Sequence, residues 1–308
     1  MLPQGSVYGD YKILSTPFQG NYGIVFKALH IPSGKEVALK FTKFPLNRHW
    51  YGRFKNENKF LHHLKPHDHI IQAHSHVTHD KTNAYYSMEF LEIGLENYLG
   101  SIPSTDTDKP LELFKQVCTG LDHAHSKRIY HRDLHAANIR MDADNAKLVD
   151  FGLGKDGLNA TNSSVGQIMW FGGAVTTPEA FFHVSDSPSH DEDVRKDVYA
   201  LGIILLTLFA PSNVAYTLSI RNSMQAYFIA NGFTDYNAYL QLNEAQRQAH
   251  YTSWLTSLNP NISNSLNVSL ADVNLAKNIS AIIKKACSAD YTARYASVQD
   301  VLTDIGRL

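Results

Sequence analysis

Cysteine is scarce in this chain of 308 residues: there are two, Cys118 and Cys287. Two thiols cannot build a disulfide framework, and they fit buried residues of a reducing compartment. Long apolar runs are also missing. The longest, Leu201 to Ala210, is about half of what a membrane-spanning helix needs. Neither charge sign dominates, with 28 Lys and Arg against 29 Asp and Glu and a formal net charge of −1. No overall field therefore favours nucleic acid or an acidic membrane as a partner. The first residues carry no basic stretch leading into an apolar one, so no signal peptide is expected and the cytoplasm is the expected location. Asn-x-Ser/Thr triplets, such as those at Asn261 and Asn267, then read as chance in an asparagine-rich segment. No internal repeat is visible.

What is present is a strand-rich start followed by a helix-rich remainder. Tyr11 to Leu14, Ile24 to Leu29 and Glu36 to Phe41 are short β-branched or aromatic runs between Gly, Pro and Asn turns. Pro32-Ser-Gly34 is a hairpin turn between the second and third. From Asn47 to Leu64 the pattern is helical, with Phe54, Phe60, Leu61 and Leu64 near one face. Strands are expected again at Ile70 to Val77 and Tyr85 to Phe90. Leu111 to Ser126 is amphipathic. Asn138 to Met141 and Lys147 to Val149 flank an Asp-Ala-Asp-Asn turn as a small hairpin, and Val198 to Phe209 is apolar nearly all round, as a buried helix is. The fold class is α+β, divided near residue 90 into a strand-rich part (1–90) and a helical part (91–308).

Three patterns carry chemistry. Phe18-Gln-Gly-Asn-Tyr-Gly-Ile-Val25 lies between two expected strands, where Gly20 and Gly23 let a hairpin close over phosphates with its N–H groups unobstructed. Val37-Ala-Leu-Lys40 follows on the next strand, so Lys40 can reach phosphates lying beneath that loop. The most specific pattern is His131-Arg-Asp-Leu-His-Ala-Ala-Asn138 followed by Asp150-Phe-Gly152. Phosphoryl transfer needs a carboxylate to orient the attacking hydroxyl and oxygen ligands for magnesium. Asp133 suits the first role, and Asn138 and Asp150 the second.

With these motifs in this order, residues 8–308 resemble the protein kinase family. The resemblance implies a two-lobed protein kinase fold with Mg-ATP bound between the lobes and a protein hydroxyl, most simply serine or threonine, as acceptor. It implies a Gly-rich loop over 18–25 with Tyr22 at its tip and Val25 and Ala38 beside the base. It makes Lys40 the phosphate lysine, Glu57 its helix partner, Met88 the gatekeeper, and Glu89 to Leu91 the backbone that holds adenine. Thr177-Pro-Glu179 stands for Ala-Pro-Glu, with Arg294 as the partner of Glu179. Asp197 matches the aspartate that braces the catalytic loop. Arg132 resembles the arginine that receives a phosphate from the activation segment, so phosphate there is expected to raise activity. Thr161, Ser163, Ser164, Thr176 and, least, Thr177 are the candidate acceptors.

The chain departs from the pattern in places. Phe18 replaces the first loop glycine. His135 stands where serine/threonine kinases carry lysine, placed to help neutralise the γ-phosphate, and Gly172 stands where they carry threonine. A histidine there also suits a small-molecule phosphotransferase, and a pseudokinase scaffold is a further alternative. Arg140 replaces the aliphatic floor under adenine. Its guanidinium could stack on the purine, or a local shift could let Met141 supply the floor. Seven of the 16 histidines lie between His62 and His79 and read as solvated or locally bonded side chains, not metal ligands. The aromatic-rich stretch 211–286 reads as packed helices, with a docking insertion as the alternative.

Overall fold

The computed structural model describes residues 3–19, 23–42, 48–79, 84–103, 106, 108–151, 155–156, 177–209, 215–233, 236–258 and 277–308. Gly20, Tyr22, Gly152, Gly172 and the hydroxyls Thr161, Ser163, Ser164 and Thr176 lie outside these, as does part of 211–286. In chain order the elements are β1 (Val7–Tyr8), β2 (Tyr11–Ile13), β3 (Phe18–Gln19), β4 (Gly23–His30), β5 (Lys35–Thr42) and α1 (Arg48–Leu64). There follow β6 (Thr78–His79), β7 (Ala84–Met88), β8 (Ile93–Gly94), α2 (Leu95–Leu99), α3 (Asp108–Ser126) and β9 (Ile129–Tyr130). After these come β10 (Ile139–Asp142), β11 (Asn145–Leu148), β12 (Lys155–Asp156), α4 (Pro178–Phe181), α5 (His190–Phe209) and α6 (Ala215–Ala230). The last are α7 (Tyr236–Leu240), α8 (Glu244–Ser257), α9 (Lys277–Ala286) and α10 (Val298–Ile305). Contacts divide the chain into two units, 1–98 with 137–154, and 99–136 with 155–308.

The first unit is built on an antiparallel sheet of order β1-β2-β4-β5-β7-β6, with β3 on β4. Gly34, at φ +65°, supplies the left-handed turn between β4 and β5 that a side chain would strain. One face of the sheet buries Ile13, Phe26, Ala28, Val37, Leu39 and Phe41 under Tyr8, Tyr11 and Tyr85. Helix α1 buries Phe54, Glu57, Asn58, Leu61 and Leu64, and the spacing of 3 and 4 keeps them on one face. Glu57 thus points inward with the apolar residues.

The strand expected over Ile70 to Val77 is not continuous. Residues 69–71 bond to Leu148, with Ile71 N–H on Leu148 O at 3.0 Å. Residues 72–75 bond to β7 and its end instead, Glu89 N–H on Gln72 O at 3.0 Å and His74 N–H on Ser87 O at 2.8 Å. A segment that changes partner midway cannot keep one ladder register. The histidines around it have local partners. His62 stacks on His76 at 3.9 Å and meets Ser75 O at 3.1 Å, while His69 meets Ala146 O at 3.2 Å. Among the described residues no group of three His, Cys, Asp or Glu converges as a metal cage.

The second unit is organised around α5, which is buried along nearly its whole length. A Cβ at Gly202 would lie 2.5 Å from Cys287 Sγ and 2.8 Å from Ala286 Cβ, so α5 and α9 touch where a residue without a side chain allows it. Among the described residues of 211–286, Phe228, Tyr236, Tyr239, Tyr251 and Trp254 are buried. Phe182 packs among Tyr227, Phe228, Tyr239, Tyr251 and Trp254. The Tyr236 and Tyr239 hydroxyls donate to the Phe181 and Phe182 carbonyls at 3.0 and 2.9 Å, which fixes the end of α4.

Candidate active site

In the first unit Lys40 lies in β5, opposite Val25 of β4 and Tyr86 of β7. Its ammonium meets both carboxylate oxygens of Glu57, at 2.6 and 2.7 Å, and Asp150 Oδ1 at 3.5 Å. Burial opposes the ammonium, but the carboxylates of Asp150 and Glu57 outweigh it and hold Lys40 above its ordinary pKa. For Glu57 burial is the largest influence; with Asp150 nearby it pushes the carboxyl up against the pull of Lys40. Gly23 borders this group closely. A Cβ there would stand 2.8 Å from Lys40 Cε and 3.1 Å from Phe41 O, so the position excludes any side chain while Lys40 keeps its pose.

Asn138 closes a 3-10 turn, Ala136–Asn138, and not the first position of a strand; β10 begins one residue later. The hairpin β10–β11 pairs Ile139 with Leu148 and Asp142 with Asn145, and Val149 N–H then donates to Asn138 O at 3.0 Å. That bond brings Asn138 next to Asp150 across 11 residues of chain. Asp150 holds φ +62°, a costly conformation for a side-chain-bearing residue and one that clusters at functional positions. Its side chain keeps 27% exposure, against 6% for Lys40 and 2% for Glu57, so a buried ion pair supports a reachable carboxylate. Two carboxylates share one ammonium, leaving a negative charge over on a segment whose neighbour in the hairpin, Asn138, carries an amide oxygen. Such an oxygen-donor set fits a hard divalent cation like magnesium.

The base segment lies in the same unit. Met88 ends β7, opposite Ala38 of β5. Glu89 is tied by Lys147 at 2.9 and 3.0 Å and accepts Gln72 N–H at 3.0 Å. Among the described residues no group hydrogen-bonds the N–H or C=O of Leu91. Arg140 donates from Nη1 to Glu92 O at 3.3 Å.

Asp133 belongs to the second unit, where Asp197 shapes its loop. The Asp197 carboxylate accepts His131 N–H, Arg132 N–H and His125 Nε2, each at 2.8 Å. Burial alone would raise its pKa, but the His125 bond and charge, the charge of His131 and the Arg132 N–H hold it below the ordinary value. These bonds hold Arg132 at φ +62°. His135 Nε2 stands 4.0 Å from Asp133 Oδ1, so the histidine lies beside the expected base. Arg132 Nε meets Asp193 Oδ1 at 3.2 Å, both side chains being nearly fully buried. The arginine expected to await a phosphate therefore has a carboxylate partner already. Thr177, buried at 4% exposure, caps α4 by accepting Ala180 N–H, a structural role that withdraws its hydroxyl from modification. Glu179 and Arg294 form a bidentate pair at 2.8 and 2.8 Å.

Asp193, His125 and Lys147 are partners that the sequence reading does not single out. Asp193 was legible: Ser189-His-Asp-Glu192 is a capping box, with Glu192 N–H on Ser189 Oγ and Ser189 N–H on Glu192 Oε2. It starts α5 at 190 and sets Asp193 four residues before Asp197, on the same face. Nothing in the local pattern marks His125 or Lys147.

Against known proteins, the protein kinase domain model matches residues 12–304. The chain is 31% identical over 155 residues to a carbon catabolite-derepressing protein kinase of Candida glabrata, covering 49% of this chain and 25% of that protein. It is 33% identical over 159 residues to the SNF1-related protein kinase catalytic subunit alpha KIN12 of Arabidopsis thaliana, covering 48% and 30%. A carbon catabolite-derepressing protein kinase of Saccharomyces cerevisiae is 30% identical over 155 residues, covering 49% and 24%. The alignments thus span less than a third of those relatives' length. With the family model matching nearly the whole sequence, the chain belongs to the protein kinase family.

Proposed function

We propose that the chain is an active ATP-dependent protein kinase that phosphorylates serine or threonine hydroxyls of protein substrates. The observation that carries the reading is the buried Lys40–Glu57 pair beside a strained, reachable Asp150. Such an arrangement costs stability and has a use in holding phosphate and metal. Similarity to relatives named as protein kinases supports the same reading.

In this reading Lys40, fixed by Glu57, holds the α- and β-phosphates, and the loop with Gly20, Tyr22 and Gly23 covers them. Asn138 and Asp150 hold magnesium, which when bound neutralises charge on the phosphates. Asp133 orients the acceptor hydroxyl and takes its proton, and His135 supplies positive charge toward the γ-phosphate. Val25, Ala38, Met88 and Arg140 enclose the base, while Glu89 C=O and the unused N–H and C=O of Leu91 offer its edge a donor and acceptors. Balanced charge and the absence, among the described residues, of a helix long and apolar enough to cross a membrane fit work on protein substrates in the cytoplasm.

Incubation with γ-labelled ATP, magnesium, a generic basic protein and a panel of small alcohols tests the proposal. Label on serine and threonine of the protein is the expected result. Label on the alcohols alone would make the chain a small-molecule phosphotransferase, and no label anywhere would make it a scaffold.

A further inference from the structure

We propose that the nucleotide's base rests on Arg140, whose guanidinium stacks on the purine face as a cation–π contact. The inference rests on the nucleotide-binding reading above and names the residue that grips the base.

Alternation along the hairpin carries the argument. Ile139 and Met141 are buried, at 0% and 3% exposure, opposite the equally buried Leu148 and Ala146. Successive strand residues point to opposite faces, so Arg140 and its cross-strand partner Lys147 share the other face. Both side chains there reach the segment that follows Met88: Lys147 ends on the Glu89 carboxylate and Arg140 on Glu92 O. The face bearing Arg140 is therefore the one turned toward residues 88–92, and a base pairing with Leu91 meets it. Met141 cannot take this place, because its side chain belongs to the core face.

The two cations of this face differ in one respect. Lys147 is matched by Glu89 and, at 3.5 Å, by Asp142. Arg140 meets a carbonyl oxygen and, among the described residues, no carboxylate. Its Nη1 would lie 3.6 Å from a Cβ at Gly94, paired with it across β8 and β10. That distance is ordinary van der Waals contact, so the guanidinium lies close over the Gly94 backbone. A planar, half-exposed cation that meets no carboxylate among the described residues favours an aromatic face.

Calorimetric titration of adenosine and of ATP into wild type, Arg140→Gln and Arg140→Lys tests this. Adenosine carries no phosphate, so it reports the base alone. The expected result is adenosine binding weaker by about 3- to 10-fold in Arg140→Gln, with Arg140→Lys between it and wild type. An unchanged melting temperature of the glutamine variant separates lost binding from lost structure. Adenosine bound as tightly by Arg140→Gln as by wild type would overturn the inference, as would weakening confined to ATP, which would assign Arg140 to the phosphates. A wild type that binds neither ligand would instead overturn the nucleotide-binding reading itself.

Discussion

Removing one member of the Glu179–Arg294 pair is expected to be among the costliest single changes in the second unit. Both side chains are essentially without solvent, at 1% and 0% exposure. Two parallel hydrogen bonds of 2.8 Å join them. The guanidinium also donates from Nε to Ser288 O at 2.8 Å and from Nη1 to Arg195 O at 3.1 Å, and it lies 4.6 Å from the Tyr199 ring centroid. Arg294→Ala would leave Glu179 as a buried carboxylate without its counter-charge and two carbonyls without their donor. Breaking a buried pair this way costs about 3–5 kcal/mol. At roughly 2–4 °C per kcal/mol for a unit of this size, the melting temperature should fall by about 6–20 °C. The assay is thermal unfolding followed by circular dichroism for both single variants and the double alanine variant. The double variant should lose less than the sum of the singles, because each single strands the other partner.

The pair also sets a pH dependence. Burial pushes Glu179 up, but the charge and hydrogen bonds of Arg294 outweigh it, and the carboxyl lies below its ordinary pKa. Its contribution is therefore complete above the unfolded value of about 4.3 and is lost as pH falls through the depressed folded value. Wild type should keep this contribution at pH 5, and acid should narrow the gap to Glu179→Ala. An Arg294→Ala melting temperature within about 2 °C of wild type would refute the reasoning, since no buried charge would then have been stranded.

Two further outcomes follow from geometry elsewhere. Gly202→Ala sets a methyl 2.5 Å from Cys287 Sγ and should cost about 1–3 kcal/mol by overpacking, read by urea unfolding; a neutral result would mean α5 and α9 can part freely. Arg132 already meets Asp193, so phosphatase treatment should leave the wild-type rate nearly unchanged, while Asp193→Ala should make activity phosphatase-sensitive; strong sensitivity in wild type would show that the carboxylate does not substitute for phosphate.

The sequence carried the local half of this structure. Alternation and the Pro32-Ser-Gly34 turn suffice for the β4–β5 hairpin, and the apolar run after Val198 for the core of α5, because both patterns depend on neighbours in sequence. The Asp-Ala-Asp-Asn turn likewise announces β10–β11. What failed to show depends on partners far along the chain. Residues 70–77 look like one strand, but they bond first to Leu148 and then to the end of β7. The motif Val37-Ala-Leu-Lys40 and the acid at 57 reveal a candidate pair, whereas the reachability of Asp150 depends on the return of the 139–148 hairpin. Asp193 was legible through the capping box that starts α5 and sets it on the face of Asp197, but the polar first turns of the helix drew no attention to it. Arg140 is legible as a departure; strand alternation would put it on the face of Asn138, but Asn138 sits in a 3-10 turn, and the alternation begins with buried Ile139 and Met141 on either side of Arg140.

The most direct test of the account is single-turnover transfer of labelled γ-phosphate to protein, for wild type, Lys40→Ala, Asp150→Ala and Asp133→Asn. Lys40 and Asp150 share the buried cluster with Glu57, and Asp133 is held beside His135 in the loop fixed by Asp197. Wild type should transfer label, and each variant should do so at least about 100-fold more slowly while keeping its circular dichroism spectrum. Transfer that survives Lys40→Ala or Asp133→Asn at near wild-type rate would contradict the assignment of these residues to phosphoryl transfer.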